Sequence, residues 1–418
     1  MMARILTSLI DVGAVDAPPD DRTQPIDFSQ HKLIAQNQAE ESIVLLTNRN
    51  ATLPLPQRLG SLLIVGEHAD HGVLCGGGSS AVTPIGSLQL PGTSIMGMDV
   101  AKVIQPSSLV TAIKEESAAR DVVFVDGTDR QQVLDEARKA DAVIVFAQEW
   151  RSEGLDAVGL ALPDDQDALI EAIAGVNPAT IVVIQSGGPV TMPWRDSVAA
   201  ILAAWYPGSG GGPAVAGVLF GRVNPSGRLP VTFPASEAQL PRPAQIDPET
   251  TTSNPATPRK GGIIPLDYDI DGSDVGYRWF AREGHEPLFP FGFGLSYTTF
   301  ELAGLHVSVD GRYTASVEVA NTGARTGAVV VQIYVEKQGA DGFVKRLAGF
   351  TKTTLAADER ATVEIDLEPR ILARYRVGGD APGFVIEPGV YRVWAAQHAG
   401  DDALWQDVAI DEARRIES

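Results

Sequence analysis

The segment Asp141–Asp156 contains the residues whose types could do chemistry. It begins as an apolar run, typical of a buried strand, and ends in a glycine-marked loop that carries Glu149, Glu153 and Asp156. Ligands of open α/β sheets bind outside the carboxyl ends of the strands, so reactive groups are expected on this loop. A carboxylic acid beside an apolar ring such as Trp150 has a raised pKa, which suits proton donation to a glycosidic oxygen.

This chemistry ordinarily needs two carboxyl groups that face each other across the glycosidic bond. Glu149 and Glu153 both lie on one short loop, which is an unfavourable frame for flanking a sugar ring. The alternative interpretation is a solvated acidic loop, which is common in a chain of this charge. The residues alone therefore leave a second carboxylate to be found.

A second candidate loop, Gly76–Ser80, follows a predicted strand. Its glycines are adjacent and no Lys-Ser or Lys-Thr pair follows, so the pattern disfavours nucleotide or phosphate binding. The backbone and the hydroxyls of Ser79 and Ser80 could instead approach a polar ligand such as a sugar.

The other motifs give weaker indications of function. His68 and His71 match no metal-binding spacing, and Ser186 lacks the surroundings of a hydrolase nucleophile. The Gly208–Gly212 turn is compatible either with anion binding at a helix start or with tight packing. We therefore predict no metal and no cofactor.

Composition limits the class of protein. The chain has 418 residues, of which 44% are hydrophobic and 21% charged, and this predicts two or three globular domains. The formal net charge of −20 argues against nucleic-acid and anionic-membrane partners. The single cysteine, Cys75, excludes an intrachain disulfide, and the N-terminal segment does not have the pattern of a signal peptide. Compartment is left open.

Strands alternate with helices through residues 27–235, which predicts a three-layer α/β/α sandwich with a mostly parallel sheet. Proline- and threonine-rich residues 236–298 read as an extended connector, ending in an ordered aromatic and glycine-rich junction. After Phe300 the apolar period switches to two, and about seven short strands predict an immunoglobulin-like sandwich over residues 299–418.

The segments together resemble the C-terminal half of family 3 glycoside hydrolases, the β-glucosidase family. The motifs occur in family order and cover almost the whole chain. They are Glu41–Leu46, Leu53–Leu55, Leu63–Gly66, Gly76–Ser80, Glu153–Asp156, Leu162–Pro163, Gln185–Val190, Met192–Trp194, Trp205–Gly208, Gly221–Pro234, Val275–Trp279 and Phe291–Tyr297. The resemblance specifies the second sandwich as fibronectin type III-like. It also makes residues 1–26 the remnant of a barrel-to-sandwich linker.

In this family a TIM barrel carries the nucleophilic aspartate and a sandwich loop supplies the acid/base glutamate. The resemblance assigns that glutamate to Glu153, with Glu149 as runner-up, although Ala157 replaces the arginine of the family pattern. It implies that Ser79 and Ser80 contact the substrate, a β-glucoside or oligosaccharide, and Trp150 is a further candidate for substrate contact because of its position beside the acids. The nucleophile would come from a barrel outside these residues or on another chain, so we expect the isolated chain to be inactive. The alternatives are a catalytically inactive carbohydrate-binding or scaffolding protein and a nucleotide-binding protein.

Overall fold

The computed structural model describes residues 2–16, 26–56, 58–95, 98–153, 157, 159–243, 267, 269–339, 344–378 and 382–416. The described helices are α1 (Met2–Asp11), α2 (Phe28–Ser42), α3 (Leu109–Glu116), α4 (Arg130–Ala137), α5 (Gln166–Val176), α6 (Gly211–Leu219), α7 (Tyr277–Glu283) and α8 (Pro369–Leu372). None of them is both long and apolar enough to cross a bilayer.

A six-stranded sheet organises the first part of the chain. Its strands are β1 (Val44–Asn48), β2 (Ser61–Val65), β6 (Asp121–Val125), β7 (Ala142–Glu149), β8 (Thr180–Ser186) and β9 (Ala200–Ala203), in the order β1-β9-β8-β7-β2-β6. All neighbours are parallel except β1, which is antiparallel to β9 at the edge. Every residue of β7 and β8 is buried, as expected for central strands covered on both faces.

Helices cover both faces of this sheet. Residues of α2, α3 and α6 share one apolar cluster with Leu62 and Ile144 of the sheet. Residues of α4 and α5 pack on the other face, against Leu63 and Val143. A three-stranded antiparallel sheet, β3-β5-β4, lies beside this sandwich and consists of β3 (Val73–Cys75), β4 (Leu88–Ile95) and β5 (Met98–Gln105).

The second part is antiparallel. One sheet has three strands in the order β10-β11-β14, which are β10 (Phe300–Ser308), β11 (Thr314–Asn321) and β14 (Arg360–Asp366). The other has four strands in the order β13-β12-β17-β18, which are β12 (Gly327–Lys337), β13 (Arg346–Leu355), β17 (Gly389–Ala396) and β18 (Leu404–Ile410). Together they enclose one apolar core. A small sheet, β15-β16-β19, adds β15 (Arg374–Arg376), β16 (Gly383–Ile386) and β19 (Arg414–Arg415). The predicted fold class, an α/β sandwich followed by a β-sandwich, is confirmed.

Residues 277–297 pack against both parts of the chain. Tyr277 stacks on Phe291 with ring centroids 4.8 Å apart and meets Tyr334 of β12 edge to face. The buried Gln332 of β12 donates from Nε2 to the carbonyl of Gly292 at 3.0 Å. These contacts tie the connector to the β-sandwich.

Candidate active site

The two candidate loops of the sequence lie against each other at the carboxyl end of β7. The Gly77 N–H donates to the carbonyl of Arg151 at 2.9 Å, and Gly77 and Ser152 form an isolated parallel bridge. The Glu153 N–H donates back to the Gly77 carbonyl at 3.4 Å. Backbone hydrogen bonds therefore fix Glu153 relative to the glycine-rich loop.

Adjacent glycines are needed for this approach. A Cβ at Gly77 would lie 2.5 Å from Ser152 Oγ and 2.6 Å from Trp150 Cζ2. A Cβ at Gly78 would lie 2.5 Å from Glu153 Cβ, and Gly78 also has a φ of +75°, which disfavours other residues. The glycines, which do not form a phosphate-binding motif, are thus explained by the close packing of the two loops.

The Glu153 carboxylate is exposed and hydrogen-bonded by the neighbouring loop. The Ser79 N–H donates to Glu153 Oε2 at 2.7 Å, and the Ser79 hydroxyl donates to the same oxygen. These hydrogen bonds stabilise the charged carboxylate and so lower the pKa of Glu153, and the hydrogen bond from the Ser79 hydroxyl has the larger effect. The expected raised pKa of this acid beside Trp150 is therefore wrong, because solvent and Ser79 surround the carboxylate instead of an apolar pocket.

Ser80 lies within the glycine-rich loop, and Trp150 packs against it. The Ser80 hydroxyl donates to the Gly77 carbonyl at 2.9 Å and so closes the loop on itself. Trp150 is half-buried, with its ring against Gly77, and its Nε1 has no hydrogen-bond partner among the described residues. Asp156, the third acid of the cluster, lies outside the described residues.

Glu149 is engaged in a buried ion pair. Arg151 Nε lies 2.6 Å from Glu149 Oε1 and 2.7 Å from Oε2, and Arg151 Nη2 donates to the carbonyl of Pro189 at 2.9 Å. The Tyr206 hydroxyl donates to the Glu149 carbonyl and accepts from the Arg151 N–H, both at 2.8 Å. Burial raises the pKa of Tyr206 to about 12, so its phenol stays protonated. Glu149 thus anchors the base of the loop.

Sequence reasoning missed Arg151 and Tyr206, which hold the loop that carries Glu153. The position of Arg151, two residues after an acid at a strand end, was the only available signal. Tyr206 lies in the Trp205–Gly208 motif, but nothing in the sequence indicates its contacts with Glu149 and Arg151, which are 57 and 55 positions away. Gly187 and Gly188 leave the space that Arg151 fills, since a Cβ at Gly188 would lie 2.5 Å from Arg151 Nη1.

The remaining motifs are accounted for by local contacts. The buried Ser186 hydroxyl donates to the Gly188 carbonyl at 2.8 Å. A Cβ at Gly212 would lie 2.8 Å from the carbonyl oxygens of Ser107 and Ser108, which supports the packing interpretation of the Gly208–Gly212 turn. No group of three His, Cys, Asp or Glu side chains that could hold a metal ion occurs in the described ranges.

Comparison with known proteins identifies the family. Residues 43–297 match the glycosyl hydrolase family 3 C-terminal domain, and residues 329–399 match a fibronectin type III-like domain. The chain therefore belongs to glycoside hydrolase family 3.

Individual relatives agree with this assignment. The chain is 33% identical to the thermostable β-glucosidase B of Acetivibrio thermocellus, with 93% of this chain and 50% of that protein aligned. It is 33% identical to an exo-α-(1→6)-L-arabinopyranosidase of Bifidobacterium longum, with 92% and 49% aligned. The fold matches the crystal structure of the Bifidobacterium adolescentis family 3 β-glucosidase with a TM-score of 0.75, at 29% identity over 97% of this chain and 56% of the other. The chain spans about half the length of these relatives.

Proposed function

We propose that this chain supplies the acid/base half of the active site of a retaining β-glucosidase. Glu153 protonates the leaving glycosidic oxygen and then deprotonates the water that releases the glycosyl-enzyme. The substrate is a terminal β-D-glucoside, as the names of most relatives suggest. The β-glucosidases of Acetivibrio thermocellus and Bifidobacterium adolescentis support this choice.

One observation carries the assignment of the acid/base residue. Of the two described acids, Glu153 is the one whose carboxylate contacts the glycine-rich loop, through Ser79. The carboxylate of Glu149 is instead paired with Arg151 at the end of β7. A mobile proton is required of the catalytic group, and an acid locked in a buried ion pair is a poor donor.

The lowered pKa of Glu153 bears on the two steps differently. The carboxylate form, which the Ser79 hydrogen bonds favour, is the base that activates water in the second step. The first step needs the protonated form. A nearby ionised nucleophile raises the pKa of a carboxyl group, and so does the exclusion of water by bound substrate. Before the first step both effects therefore oppose the lowering of the Glu153 pKa by Ser79. Once the nucleophile is esterified its charge is lost, and Glu153 reverts to the base.

We place the nucleophile outside residues 1–418, on a barrel domain or on another chain, as the family resemblance implies. Glu149 cannot serve without giving up its pairing to Arg151. The 418 residues alone should therefore turn over nitrophenyl β-glucoside slowly or not at all. Clear activity of the purified chain that Glu153→Gln abolishes would overturn this part of the proposal.

The function is tested in a chimera. The C-terminal part of the Acetivibrio thermocellus β-glucosidase B is replaced by the aligned residues of this chain, so that a family barrel is present. Loss of acid–base catalysis at Glu153→Gln should lower kcat/KM for cellobiose, whose leaving group needs protonation, by about 100- to 10 000-fold. Glu149→Gln is the matched control, because it removes the neighbouring carboxylate. It should lower the stability of the chimera without removing the acid/base group.

The competing interpretation is a carbohydrate-binding or scaffolding protein with no catalytic role. The exposed Glu153 and the compact glycine-rich loop are compatible with it. It predicts a chimera whose nitrophenyl glucoside turnover is negligible although cellobiose still binds in calorimetric titration. Turnover that depends on Glu153 excludes it.

A further inference from the structure

One face of the small sheet β15-β16-β19 carries three arginines. Side chains alternate between the two faces of a strand, so Arg374 and Arg376 of β15 lie on the same face. Val385 of β16 is the register partner of both Arg374 and Arg415, which places Arg415 of β19 on that face as well. We call Arg374, Arg376 and Arg415 together the arginine face.

The arginine face is turned outward. On the other side of β16, Ile386 is fully buried and Phe384 packs against the core of the β-sandwich. Arg376 and Arg415 are exposed. An added Cβ at Gly383 would lie 2.9 Å from Arg415 Nη2, so the Arg415 guanidinium crosses the middle strand at Gly383. Because Gly383 is also the register partner of Arg376, the two arginines approach each other there.

Lys337, at the end of β12, adds a fourth cation at the margin of this face. Its Nζ lies 3.0 Å from Glu387 Oε2, and Arg376 pairs with the other oxygen of the same carboxylate. Burial lowers the pKa of Lys337, and the guanidinium groups of Arg374 and Arg376 lower it further. Repulsion among like charges therefore acts on this part of the surface.

The charge of the arginine face is opposite to that of the whole chain, whose formal net charge is −20. Strands β15, β16 and β19 contain four arginines and no acidic residue. A surface region of one sign raises the local concentration of ligands of the opposite sign and their rate of association. An anionic ligand would be attracted to this face and would relieve the repulsion among its guanidinium groups.

The geometry of the face favours carboxylates that repeat along a ligand. The planar guanidinium group binds a carboxylate through two parallel hydrogen bonds. Arg374 and Arg376 are two residues apart on one strand, which separates their Cα atoms by roughly 6.6 Å. Glu387 lies among the cations and repels a phosphate monoester, with its nearly double charge, more strongly than a single carboxylate.

A saccharide suits this face better than an acidic peptide does. Sugar rings are stiff, whereas a peptide must give up the freedom of its backbone when it binds. The chain also belongs to a family of glycoside hydrolases. A ligand with one carboxylate on each sugar ring combines both properties.

We propose that the arginine face binds an oligosaccharide of uronic acids through its carboxylates. Arg374 and Arg376 each pair with a carboxylate, and Arg415 pairs with one from the neighbouring strand. Glu387 holds Arg376 and Lys337 in place and limits the positive charge of the site. The Glu153 loop takes no part, so this proposal and the proposed function can fail independently.

The test is calorimetric titration of the purified 418-residue chain with trigalacturonate at low salt. Arg374→Gln and Arg376→Gln should each raise Kd by about two- to fivefold, as expected for the loss of one exposed ion pair. Arg120→Gln is the matched control and should leave Kd unchanged, because it removes the same charge from a side chain that is 81% exposed on the α/β sandwich. The methyl ester of trigalacturonate, which has the same sugars without the charges, should not bind.

Glu387→Gln tests the proposal with the opposite sign. It removes the carboxylate that competes with the ligand, so Kd should fall by about two- to fivefold. A merely structural role of Glu387 would not tighten binding. Arg376 is exposed, so Arg376→Gln keeps the test valid if Glu387→Gln does not fold.

Several results overturn the proposal. Trigalacturonate does not bind at millimolar concentration, or Kd is the same in the two arginine variants of β15 as in the wild type. Equal binding of the methyl ester, or an equal loss in Arg120→Gln, would show that the charge of this face does not decide binding. Tighter binding of inorganic phosphate would contradict the argument from Glu387, and tighter binding of a triglutamate peptide would make an acidic protein the partner instead.

Discussion

Gly78→Ala should displace Glu153 without removing any reactive group. The added Cβ would lie 2.5 Å from Glu153 Cβ, whereas ordinary contacts begin at 3.4 Å, so the two loops must separate by about 0.9 Å. Misplacement of a catalytic group by about 1 Å lowers activity by roughly 100-fold. We therefore expect kcat/KM of the chimera for cellobiose to fall by about 100-fold.

Gly311→Ala is the matched control for backbone strain. Gly311 has a φ of +78°, close to the +75° of Gly78, but no atom lies within 4 Å of its added Cβ. Both substitutions should destabilise the chain by about 1 kcal/mol, since left-handed backbone disfavours alanine. Only Gly78→Ala should impair catalysis.

The pKa of Glu153 gives a second measurement on the same variants. Separation of the loops lengthens the hydrogen bonds from Ser79, so the pKa of Glu153 should rise in Gly78→Ala when it is followed by NMR titration of the isolated chain. The reasoning is refuted if Gly78→Ala retains kcat/KM within about threefold of the wild type, or if Gly311→Ala impairs catalysis to the same degree.

Three further substitutions test other parts of the account. Ser79→Ala removes a hydrogen bond that lowers the pKa of Glu153, so that pKa should rise. Because the acid step needs protonated Glu153, the high-pH limb of kcat/KM should move to higher pH, and a shift to lower pH would contradict this. Glu149→Gln breaks the pair with Arg151, whose side chain is 25% exposed, and should reduce the free energy of unfolding in urea by about 2–4 kcal/mol. Glu153→Gln alters an exposed side chain and should leave the urea midpoint unchanged. Gln332→Leu leaves buried carbonyl groups unpaired at the junction, so calorimetry should show a lower unfolding temperature of the β-sandwich, and an unchanged one would argue against the described contacts.

The strands of the main sheet could be predicted because their apolar runs are long and continuous. The β-branched and aromatic runs within Asp121–Val125 and Ala142–Phe146 lie in β6 and in most of β7. The sequence does not reveal the hairpin formed by β4 and β5, because Pro91 and Gly92 interrupt the alternation and the register shifts between Leu90 and Thr93. Local pattern fails where pairing is irregular.

The sequence indicates the two loops of the candidate site but not the electrostatics of its carboxylates. The sequence placed Glu153 and Ser79 on two separate loops, and the structure joins them. The pKa of Glu153 depends on this contact between residues 74 positions apart, which no local pattern encodes. The same limit applies to Glu149. Its partner Arg151 is only two residues away, but the Pro189 carbonyl and the Tyr206 hydroxyl that complete the arrangement are distant in sequence.

The central claim is that Glu153 is the acid/base residue, and the leaving-group dependence of Glu153→Gln in the chimera tests it most directly. Dinitrophenolate leaves without protonation, so glycosyl-enzyme formation from dinitrophenyl glucoside should be nearly normal, whereas cleavage of cellobiose should fall by about 100- to 10 000-fold. Azide needs no general base, so it should restore turnover of dinitrophenyl glucoside and yield the β-glucosyl azide. Equal losses with both substrates and no rescue by azide would contradict the account.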